Sequence, residues 1–382
     1  MKNKHNLIII LFPLASQAPY YFANDIINIL IPITNNLFII TGNSSRINND
    51  PNLNIIQVPL SVHYAQDKKP IIVSYIWWII KCIIIQLYMT YNLFMMRKEI
   101  DIILYMAYPF NFLPLIIGKL FKKKNIEYMN RSLNYDKNVS SNIMKQINNL
   151  DFYLMDVISP QSESLLQRKK FKNIEKKISV NSSRYIQYNK NFEVNIDNRK
   201  NVIGFVSRIV KKKGIIEFIN SIPIILEERQ DVEFLIAGDG DLVEWAKDEI
   251  KKIEEKHDVN IKFLGWIPRK DILEYLKTLK ILVLPTNHPE ALPTIVLEAM
   301  SVGTPVLTTP IGGIREVIHE NYTGFIMEDV SSENIAYNVL SILNQTNLKK
   351  ISENQIDLIE NRFSYESAVK RWTKILNHDP EK

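Results

Sequence analysis

Short apolar runs recur along the first half of the chain, at 6–11, 37–41, 54–58, 102–106, 126–129 and 152–159. Each is too short for a helix and is bounded by polar or turn residues, which predicts a buried β-strand. Between several of them the apolar positions fall at helical spacing, and such alternation of strand and helix argues for a parallel sheet. Beyond 159 the pattern predicts a helix near 162–171 and a strand near 178–180. An Asn-rich polar stretch at 189–201 then reads as a linker. A second series of strand runs follows at 202–207, 234–237, 261–264, 281–285 and 305–308, again with helices between. Two α/β domains in tandem result, 1–198 and 199–361, and no internal repeat is evident.

Two apolar stretches allow more than one reading. Residues 7–14 follow Lys2, Lys4 and His5 and resemble the start of a signal peptide. Their shortness and the Pro/Ala/Ser/Gln loop after them favour a first buried strand. In 71–96 the only charge before Arg97 is Lys81. A bilayer span needs about 20 apolar residues, which this stretch supplies, although Lys81 would lie near its centre. Tyr75, Trp77, Trp78, Tyr88 and Tyr91, with Lys68, Lys69 and Arg97 at the ends, equally suit a helix lying at a membrane surface. A helix buried between a sheet and its neighbours is the third reading.

Composition narrows the class. The chain has 382 residues, 46% of them hydrophobic and 23% charged, which is globular, and the single Cys82 excludes a disulfide framework and a cysteine-based zinc site. The net charge of +6 is unevenly spread. Residues 1–200 hold 25 Lys and Arg against 13 Asp and Glu, and the remainder hold 22 against 28. The basic first half suits an anionic partner, either a membrane surface or a phosphate-bearing substrate, or else a solvated face.

The second half carries the candidate chemistry. In Gly204-Phe205-Val206-Ser207-Arg208-Ile209-Val210-Lys211-Lys212-Lys213-Gly214 a strand ends in a loop presenting Arg208 and Lys213. Two cations at the carboxyl end of a parallel strand suit a diphosphate, since ligands of such sheets bind in the crevice there. Next, Ala237-Gly238-Asp239-Gly240-Asp241 closes a strand with glycines that permit close backbone approach, and Asp241 is placed to cap or turn into the helical pattern 242–254. The third signal is His288-Pro289-Glu290-Ala291-Leu292-Pro293-Thr294-Ile295-Val296-Leu297-Glu298-Ala299-Met300, continued by Ser301-Val302-Gly303-Thr304-Pro305-Val306. Pro293 suits a first helical turn, whose amides and dipole make an anion site. Glu298, about one turn inside, can accept two ribose hydroxyls, and Glu290 in the preceding loop faces the cleft.

Taken together, the Arg208/Lys213 loop, the Gly238-x-Gly240 turn, Leu264-Gly265, the Glu290 to Glu298 block with Glu-Ala-Met-Ser-x-Gly-Thr-Pro-Val, and Gly312-Gly313 resemble the donor-binding domain of GT-B glycosyltransferases, in the large retaining family 4. The resemblance covers about residues 200–325, with the first half similar only in pattern. It implies two Rossmann-like parallel-sheet domains facing a central cleft, the second holding a nucleotide sugar and the first an acceptor. A final helix, within 362–382 and including Trp372, would cross back to the first domain. By the same resemblance Arg208 and Lys213 bind the diphosphate, Glu298 the ribose, and Glu290 the donor sugar. The backbone near Leu292 and Thr294 meets phosphate, and Gly238, Gly240 and Leu264 complete the donor site.

The resemblance also implies a metal-independent hexosyltransferase that retains anomeric configuration and needs no cofactor beyond a UDP- or GDP-linked donor. Three positions depart from the family pattern. Pro13-Leu14-Ala15-Ser16-Gln17-Ala18 replaces a glycine-bearing first loop, with Ser16 the acceptor-side candidate there; Arg131 stands near the place of a frequent histidine; and Ala291 follows the first glutamate where glycine is frequent. The expected acceptor is a growing glycan on a polyprenyl phosphate carrier at the cytosolic face of a membrane. A non-catalytic sugar-nucleotide-binding subunit is the alternative from another class, and an epimerase on the same fold is disfavoured by the paired glutamates.

Overall fold

A computed structural model of the chain describes residues 4–11, 18–60, 72–106, 111–129, 152–166, 179, 184–188, 195–257, 259–288 and 291–378. The chain divides into two units, Met1–Tyr185 with Tyr365–Lys382, and Ile186–Ser364. The division falls at Ile186, ahead of the polar stretch that reads as a linker. The reason is visible in the parts of that stretch described: Ile196 is fully buried in the core of the second unit. Arg199 donates to Leu279 O, Val302 O and Thr304 Oγ1 at 2.7–2.9 Å, and burial lowers its pKa to about 10.

In the first unit β1 (His5–Leu11), β2 (Thr34–Thr41), β3 (Leu53–Gln57), β4 (Ile102–Met106), β5 (Lys124–Met129) and β6 (Val157–Pro160) form one sheet in the order β3-β2-β1-β4-β5-β6. All its pairings are parallel. Of the run that resembled a leader, Leu7–Leu11 lies in β1, between β2 and β4, fully buried as a strand covered on both faces requires, and residues 12–14 lie outside the described residues. On one face, α1 (Ala18–Leu30) and the last helix of the chain (Tyr365–Asn377) pack on Leu7, Ile9, Leu104 and Ile126 through Ala23, Ile27, Trp372 and Ile375. Lys124 Nζ ties the end of that last helix down, donating to Leu376 O and His378 O at 2.7 and 2.6 Å.

Two expectations need correction at the sheet edge. Residues 152–154 are helical and the strand begins only at Val157, because the Asp156 carboxylate accepts the Asn125 amide at 2.8 Å and pairs with Lys119, turning the chain first. The helix near 162–171 is, where described, a short 3-10 turn at Glu163–Leu165, and of 178–180 only Ser179 is described, donating to Ile158 O at 2.9 Å.

The other face carries α2 (Ile72–Met95) and α3 (Phe112–Leu120), the latter so close to the sheet that a Cβ on Gly118 would stand 2.3 Å from Asn125 Oδ1 and 3.0 Å from Ile103 Cδ1. Helix α2 is not enclosed, which corrects the reading of a helix buried between neighbours. Cys82, Ile85, Gln86, Met89 and Leu93 form its inner stripe, and Gln86 Oε1 accepts the Leu113 amide at 3.1 Å. Trp77, Ile80, Ile84, Leu87 and Tyr91, at the complementary spacing, point outward and are exposed.

The second unit repeats the plan. Strands β7 (Val202–Val206), β8 (Glu233–Ala237), β9 (Ile261–Phe263), β10 (Ile281–Leu284), β11 (Val306–Thr308) and β12 (Phe325–Ile326) are parallel in the order β12-β11-β10-β7-β8-β9. Helices α4 (Ile215–Glu228), α5 (Val243–Lys256), α6 (Ile272–Thr278), α7 (Thr294–Ser301), α8 (Ser332–Leu343) and α9 (Leu348–Phe363) surround it, and α10 (Tyr365–Asn377) is the helix that returns to the first unit. Read from its first strand, each sheet has the doubly wound order 3-2-1-4-5-6. The chain reverses direction across the sheet between β1 and β4 in one unit and between β7 and β10 in the other, and a crevice opens at such a switch point.

Candidate active site

Strand β7 is wholly buried and delivers the chain to the switch point of the second unit. After Ser207 the exposed Arg208 is held between Ser207, whose amide donates to Ala237 O at 3.1 Å, and Ile209, which is fully buried. The three lysines that follow form a 3-10 turn and are not equivalent. Lys211 and Lys212 are exposed, whereas Lys213 is buried. Gly214 then enters α4 at φ 74°, a conformation that favours glycine, and a Cβ there would stand 2.2 Å from Pro285 O. That close approach joins the loop of β7 to the loop of β10. Asn287 N and Thr286 Oγ1 both donate to Lys212 O, at 3.2 and 3.3 Å.

The neighbouring loops close a continuous belt. Ile209 N donates to Asp239 O at 2.9 Å, and Gly238 N to Gly265 O at 2.7 Å. On the other side Thr308 Oγ1 donates to Leu284 O at 2.8 Å, and Thr309 Oγ1 to Thr286 O. Gly238 has φ 143°, and a Cβ on it would fall 1.7 Å from Ser207 O. The close approach this glycine permits is therefore to the Arg208 loop itself, which fixes where Arg208 is presented. Asp241 does not cap the next helix, whose N-cap is Leu242, but lies in the turn ahead of it as the alternative expectation has it; just before, Asp239 Oδ1 accepts Gly240 N at 2.8 Å. The helix starts at Val243, one residue later than the spacing suggests.

Past His288, the side chain of Leu292 is buried and Pro293 takes the N-cap of α7 with an extended ψ of 123°. Pro293 was expected inside the first turn; standing one residue earlier, it leaves Thr294, Ile295 and Val296 as the first helical positions and brings no capping side chain. Amides of a first turn have no acceptor within their own helix, and the dipole adds positive potential there. Glu298 lies on the next turn with 8% of the residue exposed. Arg269 Nε approaches Glu298 Oε1 at 4.0 Å, from the Pro268-Arg269-Lys270-Asp271 turn ahead of α6. Sequence reasoning missed this arginine. The partner lies far along the chain, and nothing local marks one exposed arginine of a polar turn.

The structure thus brings Arg208, Lys213, Gly238, Gly240, Leu264, Leu292, Thr294 and Glu298 to the carboxyl ends of one sheet's strands, on the loops after β7, β8, β9 and β10 and the helix that follows. Glu290, Ser16 and Arg131 lie outside the described residues. Among the described residues no three His, Cys, Asp or Glu side chains gather as a metal-binding group. Chemically, the loop after β7 carries two cations, Arg208 exposed and Lys213 buried, and the loop after β10 leads to a helix with a carboxylate one turn inside its start.

The sequence model of the family described as Glycosyl transferases group 1 matches residues 187–358. An uncharacterized glycosyltransferase of Methanocaldococcus jannaschii is 27% identical over 48% of this chain and 46% of its own length. The capsular polysaccharide biosynthesis glycosyltransferase CapM of Staphylococcus aureus is 31% identical over 43% of this chain and 42% of its own length. The chain thus spans under half the length of these two relatives. Among solved structures, Anabaena HepE in complex with UDP superposes with a TM-score of 0.74, covering 97% of this chain and 99% of that one at 15% identity. The lipopolysaccharide outer core galactosyltransferase WaaB gives 0.69, over 97% and 99%, at 16% identity. These likenesses show the fold, two Rossmann-like parallel-sheet domains of GT-B type.

Proposed function

We propose that this chain, whose residues 187–358 match the glycosyl transferases group 1 family on a GT-B frame, moves a hexose from a UDP- or GDP-linked donor to a glycan acceptor. The observation that carries this reading is the belt of bonded loops at the β7/β10 switch point, which sets Arg208 and Lys213 on the loop after β7 and leads on to α7, where Glu298 lies one turn inside the helix. Breaking the bond between the anomeric carbon and the diphosphate oxygen builds negative charge on the departing group. Donors fixed beforehand act on that charge more strongly in the transition state than in the ground state. Arg208 and Lys213 would supply this neutralisation, in the way a metal ion does elsewhere, and the amides of Thr294 to Val296 would take a phosphate. Glu298 would accept the ribose hydroxyls, with Arg269 holding its carboxylate in place. Glu290 would meet the sugar, and the configuration at the anomeric carbon would be retained.

Support for the donor class comes from HepE, solved with UDP and with UDP-glucose, and for the process from relatives named for capsular and Vi polysaccharide biosynthesis. The acceptor side belongs to the first unit, with Ser16 and Arg131 as its candidates and a polyprenyl-phosphate-linked glycan as the substrate.

Donor turnover by the purified chain, read as nucleoside diphosphate release from a panel of nucleotide sugars, tests the reading. Arg208→Ala should lower turnover roughly 10²–10³-fold, the usual cost of one transition-state donor. Glu298→Ala should lose donor affinity. Turnover unchanged in both variants would refute the assignment, and tight binding of UDP or GDP with no turnover on any donor would identify a binding subunit instead.

A further inference from the structure

The outward face of α2 serves neither the core of its unit nor the site described above. Around the helix, the inner stripe Cys82, Ile85, Met89 and Leu93 alternates with an outer stripe on which Trp77 is 59%, Leu87 54% and Tyr91 61% exposed. Ile80, Ile83, Ile84, Phe94 and Met95 continue that outer surface, also exposed. A surface helix of a water-soluble domain carries polar residues at these positions. Here the exposed charge along the face is Lys81, whose long stem can lie on apolar surroundings while its ammonium reaches out to water. At the carboxyl end of the helix, α3 adds Ile116 and Leu120, the latter 68% exposed.

This apolar face ends in cations. Arg97 stacks on Phe94 at 4.3 Å and donates to Phe94 O at 2.7 Å, with the Phe121 ring at 5.7 Å. Lys98 and Lys122 are exposed beside it and Lys123 is half-buried, against Glu99. Aromatic rings and a basic rim around an aliphatic centre are the composition of a helix that lies in the headgroup region of an anionic bilayer. By length and composition Trp77–Met95 is apolar enough to cross a membrane. Its inner stripe, however, is packed within the first unit, so the face available to lipid is one side of the helix.

We propose that the outer face of α2, together with the end of α3, docks the first unit on an anionic lipid surface, with the helix axis along the membrane plane and Arg97, Lys98 and Lys122 on the headgroups. Local charge complementarity favours lipid over a second protein. The described surface is mainly aliphatic and aromatic, and the sequence around it has a surplus of positive charge. The inference does not depend on the transfer chemistry.

Co-sedimentation of the full chain with vesicles tests it, comparing phosphatidylglycerol-containing vesicles with phosphatidylcholine alone. Binding should require the anionic lipid and be accompanied by a blue shift of tryptophan emission that Trp77→Phe diminishes. The double variant Ile84→Asp, Leu87→Asp should lower partitioning roughly tenfold or more, since both the lost apolar contact and the added charge oppose insertion. Both side chains are exposed, and an unchanged circular dichroism spectrum and urea midpoint would show that the fold survives. Lys98→Glu with Lys122→Glu should lower partitioning by about fivefold for each charge, the weight of one cation near an anionic surface. No binding by the wild-type chain, or equal binding by the aspartate variant, would overturn the proposal. So would sedimentation showing a dimer that the aspartate variant dissociates while vesicles capture neither.

Discussion

The two units wind their six strands in the same order and dress them differently. Helix α5 covers the second sheet as α2 covers the first, each with one stripe inward. The outer side of α5 is charged and laced by Glu244–Lys247 at 3.0 Å, Glu249–Lys252 at 2.7 Å and Lys251–Glu255 at 3.8 Å. The outer side of α2 is aliphatic and aromatic. The inner stripe alone suffices to hold a helix on a parallel sheet, so the outer stripe is free to record what the helix faces. In the second unit the specialised surface is instead at the strand ends, where Thr286, Thr309, Gly214 and Gly238 hold the loops to one another.

The sharpest way to test that division of labour is to disable one surface and read both. Lys213→Met keeps the length of a buried side chain and removes its charge. It should lower donor turnover by about 10²-fold or more, with vesicle binding unchanged. A matching loss of vesicle binding would mean that the two surfaces are not separate. A smaller effect is expected where two loops of the belt approach most closely. Gly238→Ala puts a side chain at φ 143° and against Ser207 O, which should cost at least roughly 1–3 kcal/mol, read as a lower urea midpoint together with weaker nucleotide binding. An unchanged midpoint would show that the two loops can part without consequence.

The gentlest probe is Cys82 on the inner stripe of α2. Burial pushes its thiol up to about 11, from 9.0, so the folded state holds the proton more tightly than the unfolded chain. Its contribution is complete below the unfolded pKa and is lost as pH rises from about 9 towards 11. Cys82→Ala should flatten that alkaline slope, and in the wild type a thiol reagent at neutral pH should react only slowly. Rapid labelling of the folded chain would mean that the inner stripe of α2 is open to solvent.

Much of this was legible in the sequence because buried parallel strands are unbroken apolar runs: β1, β4, β7 and β10 stand out for that reason. Strand β12 did not, since two residues carry no period. The donor-site residues were legible as a cluster in chain order, and the fold adds which of them adjoin. It also separates buried Lys213 from exposed Lys211 and Lys212, identical letters that only the folded turn distinguishes. Arg269 was illegible for the same reason. Its partner Glu298 is brought to it by the packing of α6 and α7, which local spacing does not encode. The outer face of α2 was legible as apolar, while its direction was not, because a run so uniformly hydrophobic gives no phase.

Helix α10 adds a matter of timing. Trp372 and Ile375 fill the core beneath β1 and β5, yet they leave the ribosome only after the whole of Ile186–Ser364 has been made. The second unit can therefore complete itself during synthesis while the first waits, its sheet lacking one layer and its lipid-facing helix already exposed. For nascent chains of this kind, the interval of risk is that of a half-finished first unit, and a chaperone or an early encounter with the membrane would find its client there.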